Sequence, residues 1–323
     1  RYQSDYANDL AALAWTLEHH VFDDGVLQAL DGMTNYWTTR GPQSEGAAII
    51  ERFLTATREE TRERAVVSNL AGMMARQRRE YPRAAALHDE SYRIANALGD
   101  RLTSARALHN RGVVASQTRD FPNATEYFEA SQALFRDLGD RAAVALSLYN
   151  QGVIAERTGE FERATVMLEE ALTLHEALGD TDRVAMSLFF LGQAAAGQGD
   201  LGASLQLHEE AVALWKRLNA QQTVAQGLFS VARLQRLRGN PVSAISTLIE
   251  SLDLIRIDED RWHTTKCVVE LAAIAASIGD RDHAERLHDA LSSLPDWRTI
   301  PFRADELREY DELLRDPPES GKA

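Results

Sequence analysis

The tripeptide Leu-Gly-Asp occurs at 98–100, 138–140 and 178–180, 40 residues apart each time. A period of this length constrains a chain more than any local propensity, because each unit must bury its apolar face against its neighbours. Further series keep the same register. Gly72, Gly112, Gly152 and Gly192 recur with it, and Ala232 and Ala272 take that place in the next two units. So do Tyr81, Phe121, Phe161 and Leu201, and also Ala84, Ala124, Ala164, Ser204, Ala244 and Ala284. Independent series in one register exclude coincidence.

Each unit reads as two helices. After Asp100, LTSARALHNRGVVASQTRD carries small and apolar residues at helical spacing, and FPNATEYFEASQALFRDLGD follows with Phe121, Ala124, Phe128 and Leu134 recurring at spacings of three, four and six. Pro122 suits a first helical turn, where its missing N–H costs nothing. Gly139 suits a left-handed cap, and Asp140 suits the free N–H groups that open the next helix. Leu-Gly-Asp is therefore punctuation: an anchor, a stop and a start. The glycines at 112, 152 and 192 fall mid-helix, at about 1 kcal/mol each relative to Ala. Close approach of the paired helix at Ala124 or Ala164 is the expected reason.

These residues resemble the tetratricopeptide repeat. That family sets a small residue at position 8, Ala at position 20 and a large apolar residue at position 24. Gly112, Ala124 and Phe128 have those separations, as do Gly152, Ala164 and Leu168. The unit is 40 residues rather than 34, a longer variety of the repeat. The resemblance covers about residues 61–297. It implies an all-α fold, a right-handed superhelical solenoid of antiparallel helix pairs with irregular helical caps at 1–60 and 298–323. It also implies a concave groove lined by first helices at positions 2, 5, 6, 9, 12 and 13. Those positions are Arg106, His109, Asn110, Val113, Ser116 and Gln117 in one unit. Leu146, Tyr149, Asn150, Val153, Glu156 and Arg157 follow, then Met186, Phe189, Phe190, Gln193, Ala196 and Gly197, with Phe229 and Arg233 in the next unit.

Asn110 and Asn150 are the sharpest candidates for peptide binding, since an amide pairs with both backbone groups of an extended chain. Solvation or a hydrogen bond inside the repeats is the competing role. Tyr149, Phe189 and Phe229 form an aromatic row that serves either as anchors or as packing. The carboxylate clamp of chaperone-tail adaptors is not reproduced, because Val113 and Val153 occupy position 9.

The first 60 residues keep the repeat poorly and read as three helices, Asp5 to His20, Asp23 to Arg40 and Ser44 to Thr57. Their residues Asn8, Ala12-Leu13, Trp15, Trp37, Arg40-Gly41 and Glu45-Gly46 resemble the segment that joins the ATPase core to the repeats in signal-transduction ATPases with numerous domains, such as LuxR-type ATP-binding regulators. Asp9-Leu10 and Ala47-Ala48-Ile49 depart from that pattern. The resemblance implies a sensor region whose ATPase lies upstream, with ATP bound there and no cofactor in this chain. The chain starts without Met, as a piece of a longer protein would. After Ile257 the punctuation becomes DEDRW. PDWRTIPF reads as a break, Ala304 to Leu314 as a last helix, and DPPESGKA as a flexible tail.

Composition narrows the partners. The net charge is −14, whereas a duplex-binding domain needs a basic face to displace counterions, so direct nucleic-acid binding is not expected. Apolar runs fall short of the roughly 20 residues that span a bilayer. The single cysteine, Cys267, cannot form an internal disulfide and fits a cytoplasmic location. Its apolar surroundings predict a buried thiol. There is no phosphate-binding loop, no nucleophile elbow and no His-Glu-x-x-His. His88, His208 and His288 share a repeat position with Phe128, Leu168 and Leu248, so they read as packing rather than metal ligands. The expected function is non-catalytic: capture of a peptide or protein partner, or a small-molecule inducer, in the groove. A free-standing peptide-binding scaffold is the alternative. Self-association stays open, with Trp215 and Trp262 assigned to either core or interface.

Overall fold

The computed structural model describes residues 2–39, 41–255, 260–293, 308 and 310–312. The helices are α1 (Tyr2–Glu18), α2 (Asp24–Thr39), α3 (Gln43–Ala56), α4 (Arg62–Gln77), α5 (Tyr81–Leu98), α6 (Arg101–Gln117), α7 (Phe121–Leu138) and α8 (Arg141–Thr158). They continue as α9 (Phe161–Leu178), α10 (Thr181–Gly197), α11 (Leu201–Arg217), α12 (Gln221–Leu237), α13 (Pro241–Asp253), α14 (Arg261–Ser277) and α15 (Arg281–Ser292). No strand occurs among the described residues. Arg40, most of the break after Ile255, PDWRTIPF and the tail lie outside them. Of the last expected helix only 308 and 310–312 are described, and these are helical.

The helix boundaries follow from the punctuation. Gly99, Gly139 and Gly179 adopt φ of 74°, 72° and 70° and close α5, α7 and α9. The next residue is an aspartate whose carboxylate accepts from the third backbone N–H beyond it. Asp100 accepts from Thr103 N at 3.0 Å, Asp140 from Ala143 N at 3.0 Å and Asp180 from Arg183 N at 3.2 Å. A stop that needs positive φ and a start that needs an acceptor thus sit in adjacent residues.

Two compact units contain these helices, Arg1–Ile154 and Ala155–Ala323. In the first, α4 packs on α5 and α6 on α7, each pair joined by a tight turn, while α2 and α3 close the end of α4. Its core runs through Leu13, Leu30, Trp37, Ile50, Phe53, Leu70 and Met74. Trp37 is fully buried, and its Nε1 donates to Tyr6 Oη at 3.1 Å. A side chain at Gly46 would meet the Trp37 ring at 2.4 Å. Trp37, Gly41 and Gly46, three of the residues behind the second resemblance, therefore make one close-packed knot. Trp15 does not join it; it is 53% exposed and stacks on His19.

In the second unit, α10 packs on α11, α12 on α13 and α14 on α15. Its core includes Leu188, Val212, Trp215, Leu228 and Leu248. Trp215 is buried, whereas Trp262 is exposed.

The helical glycines have a different cause from the one expected. A Cβ at Gly72 would lie 2.5 Å from the His88 ring, one at Gly112 2.9 Å from Phe128, and one at Gly192 2.3 Å from His208. At these three positions the glycine accommodates the ring four residues beyond the small residue (Ala84, Ala124 or Ser204), not that residue itself. Where the unit carries Ala232 instead, the facing residue is the narrower Leu248.

Candidate interaction surface

The first helices of successive units lie side by side, and polar side chains tie them together. In the first unit, Asn69 on α4 is buried, and its Oδ1 accepts two hydrogen bonds. One comes from Asn110 Nδ2 on α6 at 3.0 Å, the other from the His88 ring Nδ1 on α5 at 2.9 Å. The motif shifts along by one unit: Asn150 Nδ2 on α8 lies 3.4 Å from His109 Nε2, whose Nδ1 lies 3.2 Å from Ser147 Oγ. Both asparagine amides thus reach back to the preceding first helix. An asparagine at position 6 meets position 5 of the unit before it.

The sequence-predicted site residues separate by burial. His109, Tyr149 and Phe229 are buried. His109 lies 5.2 Å from the Phe128 ring centroid, and Phe229 lies 6.3 Å from that of His263. Phe189 is half-buried and packs on Phe190, His208 and Trp215. Asn110, Asn150, Gln193 and Arg233 are half-buried; Arg106, Gln117 and Arg157 are exposed. Arg106 reaches Asp31 on α2 at 3.5 Å. A cleft of about 490 Å³ between α1 and α2 is lined by none of these residues.

Sequence reasoning missed a buried ion pair. Arg236 on α12 and Glu270 on α14 are each 6% exposed, with Nε and Oε1 2.5 Å apart. The signal was present: Arg236 occupies position 12 and Glu270 position 6 of the next unit, two of the first-helix positions. The enclosing chain supplies further partners for both, as buried charges require.

Two histidines and the cysteine of the interior are held neutral. Burial lowers the His88 ring to about 3, with Arg76 and Arg111 adding to the effect, and lowers His208 to about 4. Burial pushes the Cys267 thiol up to about 12, so it behaves as a small apolar group rather than a nucleophile. Its neighbours are His263 Nε2 at 3.4 Å and Ser251 Oγ at 3.9 Å. Among the described residues no three of His, Cys, Asp and Glu come together as a metal site would need. No described helix is long and apolar enough to cross a membrane.

The tetratricopeptide repeat family matches residues 63–137, 103–177 and 141–217. Curated protein sequences give no match. Among solved structures, the chain is similar to a signal transduction ATPase with numerous domains that carries a tetratricopeptide repeat sensor, from Pyrococcus horikoshii. The TM-score is 0.69 at 14% identity, covering 90% of this chain and 44% of that one. The chain thus spans less than half the length of that protein. It is also similar to a Rap protein complexed with competence and sporulation factor (TM-score 0.62, 13% identity, 99% and 95% covered). A third likeness is to NprR in complex with its cognate peptide NprX (TM-score 0.60, 12% identity, 91% and 82% covered).

Proposed function

The chain is a tetratricopeptide-repeat protein over residues 63–217, and from that premise we propose that it is the sensor region of a multidomain ATPase regulator, binding a peptide or protein partner along the first-helix faces. The observation that carries this reading is the set of polar side chains left accessible there. Arg106, Asn110, Gln117 and Asn150 in the first unit, and Arg157, Gln193 and Arg233 in the second, stand at or near the surface of helices whose other faces are packed. Such a surface offers donors and acceptors to an extended backbone without first unfolding anything. The likeness to a sensor-bearing ATPase, to a Rap protein complexed with competence and sporulation factor and to NprR with its cognate peptide supports the same reading. In it, ATP is bound only upstream, this region holds no cofactor and makes no direct contact with nucleic acid, and the regulator works in the cytoplasm. Occupancy would act on the ATPase as a coupling between two sites.

The buried His109, Tyr149 and Phe229 then support the surface from beneath, and Asn110 and Asn150 contribute whatever acceptor capacity their internal bonds leave. Two measurements test the proposal. A phosphate-binding loop encoded within the preceding few hundred residues of the gene supports the sensor role; a reading frame without one overturns it and leaves the free-standing scaffold. Partner recovery by the chain should fall on Arg106→Ala with Gln117→Ala, two exposed positions whose loss leaves the fold intact. Unchanged recovery removes the first-helix face of the first unit as the binding surface.

A further inference from the structure

One cation on the first-helix face lacks the partner that its repeat equivalent has. Arg236 and Arg76 occupy the same position four units apart, and so do Glu270 and Asn110. In the second unit, the α12 guanidinium meets the α14 carboxylate across a separation of 34 residues. In the first unit the corresponding residues are Arg76 on α4 and Asn110 on α6, helices already shown to lie side by side by the Asn110–Asn69 bond. The charge that would complete the pair is absent from the repeat register, because Asn110 occupies the sequence position that Glu270 has four units on.

Among the described residues no other acid compensates Arg76. Its Nε is buried and meets no acceptor. No hydrogen bond or ion pair joins Arg76 to a described carboxylate. No carboxylate contributes to the electrostatics of its guanidinium, and His88 beside it is a buried neutral ring. Burial accordingly lowers the guanidinium pKa, against a smaller opposing effect of Tyr81 and none from a carboxylate. Elsewhere in the first unit arginines find acids: Arg64 with Glu90, Arg83 with Glu51 and Arg111 with Asp89. A half-buried guanidinium without a counter-charge is costly, and an arriving carboxylate that accepts its N–H groups recovers much of that cost.

We propose that Arg76, beside Asn110 on the first-helix face of the first unit, is the binding point for a carboxylate of the ligand. It takes the place that Glu270 fills for Arg236. Asn110 has an amide oxygen for the ligand's backbone N–H while its nitrogen stays on Asn69, so an extended peptide bearing an acidic side chain or terminus fits the pair. The inference rests on the reading of this face as a binding surface. It differs from the adaptor clamp whose position 9 is here valine, since it uses positions 12 and 6.

The test has a ligand-free arm and a ligand arm, both on the full chain. In the first, Asn110→Glu and Asn110→Gln are compared, so that chain length is held and only charge differs. The Glu variant should melt about 2–4 °C above the Gln variant, and this advantage should vanish in an Arg76→Met background. Equal melting of Glu and Gln overturns the proposal. In the second arm, calorimetric titration uses acetylated, amidated tetraglutamate, its tetraglutamine counterpart, and acetate as a free carboxylate. Tetraglutamate should bind the wild type at least tenfold more tightly than it binds Arg76→Met or Asn110→Glu, and tetraglutamine should not discriminate. Acetate that competes at similar concentration identifies a small acid as sufficient; acetate that does not identifies the peptide. Absence of saturable tetraglutamate binding, or equal binding by all three proteins, overturns the proposal. A surface that captures its partner with no dependence on Arg76 sinks this inference and leaves the proposed function standing.

Discussion

A glycine inside a helix usually lowers stability, but at 72, 112 and 192 an alanine has no room. His208 is 1% exposed, and its Nδ1 lies 2.8 Å from Ser204 O, so the ring cannot retreat from a Cβ that would sit 2.3 Å away. Gly192→Ala should therefore destabilise the chain by about 1–3 kcal/mol, despite a helix-propensity gain of about 1 kcal/mol. Adding His208→Leu, which copies the Ala232 and Leu248 pairing, should restore most of the loss. Urea unfolding of both variants checks this non-additivity. The same histidine makes an acid-sensitive joint. Its folded pKa, about 4, lies below the ordinary 6.5, so the unfolded chain takes up the proton first. The stability it contributes is complete above pH 6.5 and is lost as pH falls from there towards 4. His88 behaves alike with an end near pH 3, and burial shifts His175 and His263 in the same direction. Each of the first two should cost about 2 kcal/mol between pH 7 and pH 5. His208→Leu should reduce the pH dependence of the urea midpoint by that share; an unchanged slope refutes it.

At the scale of the element, the turns inside the helix pairs repay comparison with one another. Gly159, Gly199, Gly239 and Gly279 take positive φ between the two helices of their units, and Arg79 and Arg119 stand at the same place with φ of 59° and 63°. An L-residue costs roughly 1–2 kcal/mol there, a cost that glycine avoids at some entropic expense. Arg119→Gly should raise stability by about 0.5–1 kcal/mol, seen as a higher melting temperature. This second glycine series keeps the same 40-residue spacing, but arginines hold its first two places, so composition alone does not mark it as a series. The helix pairs, the Leu-Gly-Asp stops and the aspartate caps were all legible, because each depends on residues adjacent in the chain. Asn69 was not, since its two bonds join three helices and its own repeat position carries His109 and Tyr149 in the units that follow.

For the whole molecule, the two compact units make stability a local property. Trp37 anchors the first of them, fully buried and bonded to Tyr6. Trp37→Ala should cost about 3–5 kcal/mol. The loss of amide protection should concentrate in α1 to α4 and leave α12 to α14 unchanged, since each repeat contacts mainly its neighbours. Hydrogen exchange resolves this, and uniform loss across both units would refute it. The sequence by itself determined the fold class, the unit length and the Leu-Gly-Asp stops and starts, because a repeat writes the same local requirements again in each unit. Only the tertiary structure decided which first-helix residues remain accessible, which asparagines are tied inward, and that Arg76 lacks the acid Arg236 has. Those outcomes depend on how one unit is offset against the next, with position 6 meeting position 5 and position 12 meeting position 6. Such an offset is set by side-chain packing between helices, and a one-dimensional period does not contain it.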